Sequence, residues 1–242
     1  MKLGTLYGIG IGPGDPELIT VRGAKILARC RRVFVPRAPR GEESLALSIA
    51  RQHIHPESEI VPVVFPMSRD KETVREHWAK FVPKVEEVLR TGEDACYLTL
   101  GDPLLYSTYV YMLASLRERV PDVRVVTVPG VSSFSAAAAL AGFPLGQAES
   151  SVSIVPAADD LGKFQEALAG GGTVVLMKVG KRLREVIDLL ERVGRIEQAV
   201  FVARVGLEGE RIETDLRNLD VETPETGHMS IILVRGETEQ SG

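Results

Sequence analysis

The sequence predicts an α/β chain in two domains. A mostly parallel sheet is expected in an N-terminal domain over residues 1–125, and a mixed sheet in a C-terminal domain over residues 126–242. Three observations carry this. Short apolar runs alternate with helical stretches through the first half, the signature of a mostly parallel sheet. Two of those runs feed directly into proline-glycine turns, Gly12-Pro13-Gly14-Asp15-Pro16 and Gly101-Asp102-Pro103. From Ser151 onward the texture changes: three strands with helices between them are followed by two with short connections, which implies antiparallel pairs.

The elements follow in order. Leu3 to Ile11 is a short apolar run with glycines and reads as a buried first strand. Asp15 can cap a helix there, with Pro16 at its first position and Glu17 in its first turn. Leu18, Val21, Ile26 and Leu27 give that helix an apolar face, and it ends near Cys30. Arg32 to Pro36 is a second strand closed by prolines. Ser44 to Ile54 reads as a helix and Glu59 to Phe65 as an alternating strand. Lys71 to Arg90 is helical, with a kink or break expected at Pro83. Asp94 to Leu100 is a strand, Ser107 to Arg119 a helix, Val123 to Val128 a strand and Ser132 to Ala141 a helix of small residues. Strands are then expected at Ser151–Val155, Thr173–Met177, Val200–Val205, Glu210–Asp215 and Met229–Val234, with a hairpin at Leu207-Glu-Gly209.

Hydrophobic residues make up 44% and charged residues 26%, so a sizeable core is expected. The net charge of -4 argues against a general nucleic-acid binder. Residues 1–51 nevertheless carry a local net of +5, which suits an anionic small ligand as well as it suits a solvated helix face. The opening MKLGTLYGIGIGPGD is too rich in glycine for a signal peptide, and no apolar run approaches a membrane span. Cys30 and Cys96 lie far apart in apolar company, with no metal or redox spacing, so buried reduced thiols in a cytoplasmic protein are expected. His53, His55, His77 and His228 form no metal-ligand pattern, and no metal is expected.

The first turn can be tested against the dinucleotide fingerprint G-x-G-x-x-G. Starting from Gly8 and Gly10 puts Pro13 at the third glycine; starting from Gly10 and Gly12 puts Asp15 there. No acid for a ribose ends the next strand. Proline and aspartate also stand where a phosphate would want donors and no negative charge. A nicotinamide cofactor is therefore excluded. An acid in the second turn equally repels phosphate and suits a cation or a hydroxyl. Both turns follow parallel strands, so both belong at the carboxyl edge where such sheets bind ligands.

The set YGIGIGPGDPELITVRGAKIL, LGDPLLYSTYVYM, VPGVSSFSAAAALAGFPL, VVLMK and GHMSIILV resembles, in order and spacing, the tetrapyrrole (corrin/porphyrin) methylase family. The stretches VFVPRAPRGEESLALSIAR and VVFPMSRDKETVREHWAK are similar to those of the branch that methylates precorrin-2, or cobalt-factor II, at C20 in cobalamin biosynthesis. Within the family, uroporphyrinogen-III methylation or another corrin position competes with that reading. So do the relative that modifies protein in diphthamide synthesis and a non-catalytic module that only binds S-adenosylmethionine.

The resemblance implies a cytoplasmic homodimer of two-domain α/β chains. It implies S-adenosylmethionine as methyl donor in a cleft between the domains, S-adenosylhomocysteine as product, and no nucleic-acid or membrane partner. By motif, the cofactor contacts are Pro13, Gly101, Asp102, Leu105, Ser132, Ser133, Met177, Gly206, Met229 and Ser230. Asp102 and Tyr106 are the catalytic candidates, Tyr106 having a core aromatic as its other reading. Arg22, Arg37 and Arg40 are candidates for the macrocycle's carboxylates, because arginine grips a carboxylate with two hydrogen bonds. Each of them alone reads equally well as a solvated surface arginine.

Overall fold

The computed structural model describes residues 2–37, 44–64, 70–156, 161–223 and 225–236. The chain divides into two compact units, Met1–Ser132 and Ser133–Gly242. In the first, five strands form one parallel sheet. They are β1 (Thr5–Gly10), β2 (Arg32–Arg37), β3 (Glu59–Val64), β4 (Ala95–Thr99) and β5 (Arg124–Val128), in the order β3-β2-β4-β1-β5. The division lies past β5, at residue 132, because β5 hydrogen-bonds to β1 and so belongs to this sheet. Strand β4 is buried at every position, which is why it reads as an unbroken apolar run.

Four helices connect these strands: α1 (Val21–Leu27), α2 (Leu45–Ala50), α3 (Lys71–Arg90) and α4 (Tyr109–Arg119). The first departs from expectation. Asp15 does cap, accepting the Glu17 N–H at 2.8 Å, but it caps only a single 3-10 turn, Pro16–Leu18. Helix α1 starts afresh under a second cap, the Thr20 hydroxyl, which accepts the Gly23 N–H at 3.1 Å. Val21 is therefore the first helical residue and is exposed, not part of the apolar face. Helix α3 runs through Pro83 unbroken. Buried Trp78, Phe81, Val82, Val85 and Leu89 anchor it on both sides of the proline, offsetting the lost hydrogen bond.

Strand β1 lacks a side chain at Gly8, and the ring of Tyr109 fills that space. A Cβ on Gly8 would lie 2.3 Å from Tyr109 Cζ. The Tyr109 hydroxyl continues across β1 to hydrogen-bond with Thr127 Oγ1 of β5 at 3.1 Å. Burial raises the Tyr109 pKa, so the phenol stays neutral and serves as a structural strut.

The second unit holds α5 (Ser133–Leu140), β6 (Val152–Pro156), α6 (Gly162–Ala169), β7 (Thr173–Met177), α7 (Leu183–Arg192), β8 (Ala199–Ala203), β9 (Arg211–Glu213) and β10 (Ser230–Val234). Its sheet order is β6-β7-β10-β8-β9. β6 and β7 are parallel, β10 runs antiparallel to both its neighbours, and β8 and β9 form the expected antiparallel pair. Phe164, Val186, Leu190, Phe201 and Ile232 are among the side chains fully enclosed in its core.

One buried charge ties α3 to α4. Glu86 is only 8% exposed and accepts hydrogen bonds from Arg119 and from Arg90, one helical turn away. Those bonds, Arg119 first, hold its carboxyl below the usual carboxylate range. Glu86→Gln is expected to cost about 1–2 kcal/mol at neutral pH, a discounted figure because both guanidiniums are largely exposed. A lowered folded pKa contributes stability only above the unfolded value. The gap in melting temperature between wild type and variant should therefore be full near neutrality and close as pH falls through the depressed carboxyl range. Melts followed by circular dichroism across that range check this.

Candidate active site

The order of the first sheet sets β4 and β5 on either side of β1, so the turns leaving all three strands meet at one edge. Gly12 and Gly101 pair directly: the Gly101 N–H donates to the Gly12 carbonyl at 2.8 Å and the Gly12 N–H to the Gly101 carbonyl at 3.4 Å. The third backbone closes in at Gly130. A Cβ there would sit 2.1 Å from the Gly101 oxygen, and one on Gly10 would sit 2.5 Å from the Gly130 nitrogen. Only glycine lets three chains approach this closely.

Asp102 locks the arrangement. One carboxylate oxygen accepts the Leu104 N–H at 2.9 Å and the other accepts the Gly130 N–H at 3.0 Å. Both carboxylate oxygens thus hold backbone, so Asp102, expected as a catalytic and cofactor-binding residue, also clamps the second turn to the third. Its loss would free two amides at the heart of the site.

These bonds also decide what the edge can bind. A phosphate site needs free N–H groups. Here those of Gly12, Gly101, Leu104, Leu105 and Gly130 are already paired within the protein. Carbonyl oxygens retain a second lone pair after accepting one bond. These paired turns therefore suit a cationic or hydroxyl-bearing ligand, such as the sulfonium and ribose of S-adenosylmethionine, better than a phosphate.

Around the turns, Pro13 is buried, Leu105 is half-buried and Ser132 is half-buried just past Gly130. Tyr106 is 45% exposed, which excludes the core-aromatic reading; that place is taken by Tyr109. Tyr106 also has a φ of 51°, a conformation that costs a non-glycine residue on the order of 1–2 kcal/mol. Arg22 is exposed in the first turn of α1, and Arg37 is half-buried at the end of β2, the strand beside β4. Arg40 lies outside the described residues.

The second unit has a comparable edge. The ends of β7 and β8 and the start of β10 lie side by side, since Met177 is next to Ile231 and Ala203 opposes Ser230. Lys178, Arg204 and Met229, one at each strand terminus, have φ of 58°, 53° and 53°. With Tyr106 they make up four of the five non-glycine residues with positive φ among the described residues. Strain of this kind persists only where surrounding structure enforces it, and it gathers at binding sites. The Arg204 N–H donates to the Met229 carbonyl at 3.1 Å, and the Gly180 N–H donates to the Gly227 carbonyl at 3.1 Å.

The expected residues of this edge divide. Met177 and Met229 are half-buried at the strand ends. Ser230 is buried, and its hydroxyl donates to the Gly227 carbonyl at 2.8 Å, so the side chain holds its own turn. The Gly206 N–H donates to Glu210 at 2.7 Å, which shapes the hairpin leading to β9. Ser133 is the first residue of α5, which packs on β10. Lys178, Arg204 and Gly227 were not expected here. A lysine or arginine carries no sequence signal for positive φ, whereas a glycine or asparagine would.

Among known proteins, residues 5–220 match the family described as Tetrapyrrole (Corrin/Porphyrin) Methylases. The cobalt-precorrin-2 C(20)-methyltransferase of Salmonella typhimurium is 33% identical over 236 residues, covering 98% of each chain. The precorrin-2 C(20)-methyltransferase of a Sinorhizobium species is 29% identical over 242 residues, 97% of this chain and 96% of that one. Among solved structures, a cobalt precorrin-4 methyltransferase superposes with a TM-score of 0.72 at 26% identity, covering 96% of this chain and 94% of its own. Uroporphyrin-III C-methyltransferase from Thermus thermophilus, complexed with S-adenosylhomocysteine, gives 0.66 at 22% identity, covering 96% and 92%, and supports the fold. The parallel sheet with its three locked turns, the mixed second sheet and these matches agree: the chain belongs to the tetrapyrrole (corrin/porphyrin) methylases.

Proposed function

We propose that this protein transfers a methyl group from S-adenosylmethionine to C20 of precorrin-2, or of its cobalt-bearing counterpart, in cobalamin biosynthesis. It is an S-adenosylmethionine-dependent C-methyltransferase. The observation that carries the choice of donor is the edge of β1, β4 and β5, where the amides of Gly12, Gly101, Leu104, Leu105 and Gly130 are paired and the carbonyls are not exhausted. The choice of acceptor is supported by the near full-length likeness to a C(20)-methyltransferase.

S-adenosylmethionine supplies a methyl group already activated on a sulfonium sulfur. The protein's part is placement, and holding two reacting carbons in line can supply about 7–11 kcal/mol in favourable cases. We assign cofactor contacts to Pro13, Gly101, Leu105, Ser132, Ser133, Met177, Gly206 and Met229. Asp102 and Ser230 act through the turns they hold. Tyr106 is set beside the acceptor, where its exposed phenol can orient the macrocycle. Arg22, Arg37 and Arg40 take the acidic side chains of the substrate, each by paired hydrogen bonds. A cytoplasmic homodimer is part of the same proposal.

The test is incubation with S-adenosylmethionine and each acceptor in turn, followed by product mass and NMR. One added methyl at C20 and one S-adenosylhomocysteine per turnover is expected. Methylation at another carbon would reassign the acceptor position, and cofactor binding without any product would leave a binding module. Arg37→Ala together with Arg40→Ala should raise the acceptor's KM about tenfold or more, the effect of losing one charge-assisted pair, and leave S-adenosylmethionine affinity unchanged. Equal loss of both affinities would mean that the arginines support the fold.

A further inference from the structure

The sequence separates Cys30 from Cys96, but the sheet brings them together at the end opposite the turns. Cys30 stands just before β2, and Cys96 lies in β4 beside Val33 of β2. Cys30 Sγ is 3.3 Å from the Arg32 carbonyl oxygen and 3.5 Å from that of Asp94, two residues before Cys96. The two thiols perturb each other's titration, and both are free and buried. With Cys30 Sγ against the backbone of the strand that carries Cys96, little backbone movement is needed to bridge the pair.

Buried cysteines commonly do no more than fill a core. This pair has a feature that a filler lacks. Cys30 lines a cavity of about 380 Å³ together with Tyr7, Ile26, Arg29 and Asp94. The Arg29 guanidinium lies 5.8 Å from the centre of the Tyr7 ring in the same cavity wall. Cys96, at 0% exposure, does not line it. One sulfur thus faces a space large enough for a small oxidant, and the other waits behind it. Cys30 beside it and burial push the Cys96 thiol up, so Cys96 stays protonated while Cys30 faces the cavity.

We propose that Cys30 and Cys96 form a peroxide-oxidisable dithiol, in which Cys30 reacts first through the cavity and Cys96 closes a disulfide onto it. In the first step the Cys30 thiolate attacks one oxygen of hydrogen peroxide. An S–O bond forms, the O–O bond breaks, and hydroxide leaves and takes a proton to become water. In the second step Cys96 loses its proton and attacks the Cys30 sulfur. The S–S bond forms, the S–O bond breaks, and the hydroxyl leaves as a second water. Two thiols are oxidised and one peroxide is reduced to two waters. The product would staple the entry of β2 to β4, and it involves none of the residues assigned to methyl transfer.

The reduced full-length protein is treated with dilute hydrogen peroxide, alkylated in denaturant and analysed by intact mass and peptide mapping. The expected result is the loss of two hydrogens, a Cys30–Cys96 linked peptide, and no alkylation at either site. In Cys96→Ser, Cys30 should gain one oxygen that dimedone traps. In Cys30→Ser, Cys96 should stay reduced over the same interval. Circular dichroism of all three proteins before treatment confirms that folded material is compared. Two alkylated thiols in the treated wild type, a disulfide joining separate chains, or oxidation of Cys96 in Cys30→Ser at the rate seen for Cys30 would each overturn the proposal.

Discussion

Asp102→Ala lowers kcat/KM on the order of 100-fold, weakens S-adenosylmethionine binding, and lowers the melting temperature as well. Two backbone amides, of Leu104 and Gly130, lose their charged acceptor. Each such bond contributes about 1.5–3 kcal/mol. The combined loss, about 3 kcal/mol at the lower end, corresponds to a factor of about 100 or more in binding or rate. Asp102→Asn keeps one acceptor oxygen and should recover part of both the stability and the activity. Thermal melts, calorimetric titration with S-adenosylmethionine and steady-state rates on the three proteins separate a clamp from a reacting group. A direct catalytic acid would give an asparagine variant as inactive as the alanine one, with the melting temperature unmoved in both.

Gly130→Ala is expected to be at least as damaging, and by a different route. Its Cβ would lie 2.1 Å from the Gly101 oxygen and 2.8 Å from the Gly10 Cα, and both neighbours are backbone. No side chain can swing aside, so the third turn must move away from the other two. A stability loss of about 2–4 kcal/mol is expected, together with near-complete loss of methyl transfer. Gly101→Ala supplies the comparison. A Cβ at Gly101 meets nothing within 4 Å, and the cost comes only from its φ of 68°. That variant should lose about 1–2 kcal/mol. Unfolding in urea measures both. Equal losses would mean that crowding at Gly130 relaxes without harm.

Much of the fold and of the site is legible in the sequence, for identifiable physical reasons. Parallel strands buried on both faces announce themselves as apolar runs, and the runs at β1, β2 and β4 mark those strands to within a residue or two of their ends. The two proline-glycine turns stand out because proline and glycine restrict or release φ in ways that composition reveals. Other features have no such signal. Thr20 and Asp15 are both good caps, and nothing local says that the chain would use both and split one helix into a turn and a helix. Pro83 reads as a breaker, but the burial of Trp78 and Leu89 on either side overrides it. Whether the Asp102 carboxylate points to a ligand or to Gly130 is a matter of tertiary geometry. The left-handed backbone at Lys178, Arg204 and Met229 is likewise imposed from outside those residues, by strand ends that must turn together.

The pairing of Gly12 with Gly101, and of Asp102 with Gly130, has a consequence for selectivity in the cell. Phosphorylated nucleotides carry the same adenosine that this enzyme must recognise, and they compete for any pocket shaped to it. A turn with its amides unpaired would give their phosphates an anchor. Here the anchor is already spent inside the protein, and the Asp102 charge behind the turn repels whatever phosphate approaches. The bonds that hold the turns in place thus also work against the cell's nucleotide pool, because the amides of Gly12, Gly101, Leu104, Leu105 and Gly130 are closed to a competitor's phosphate.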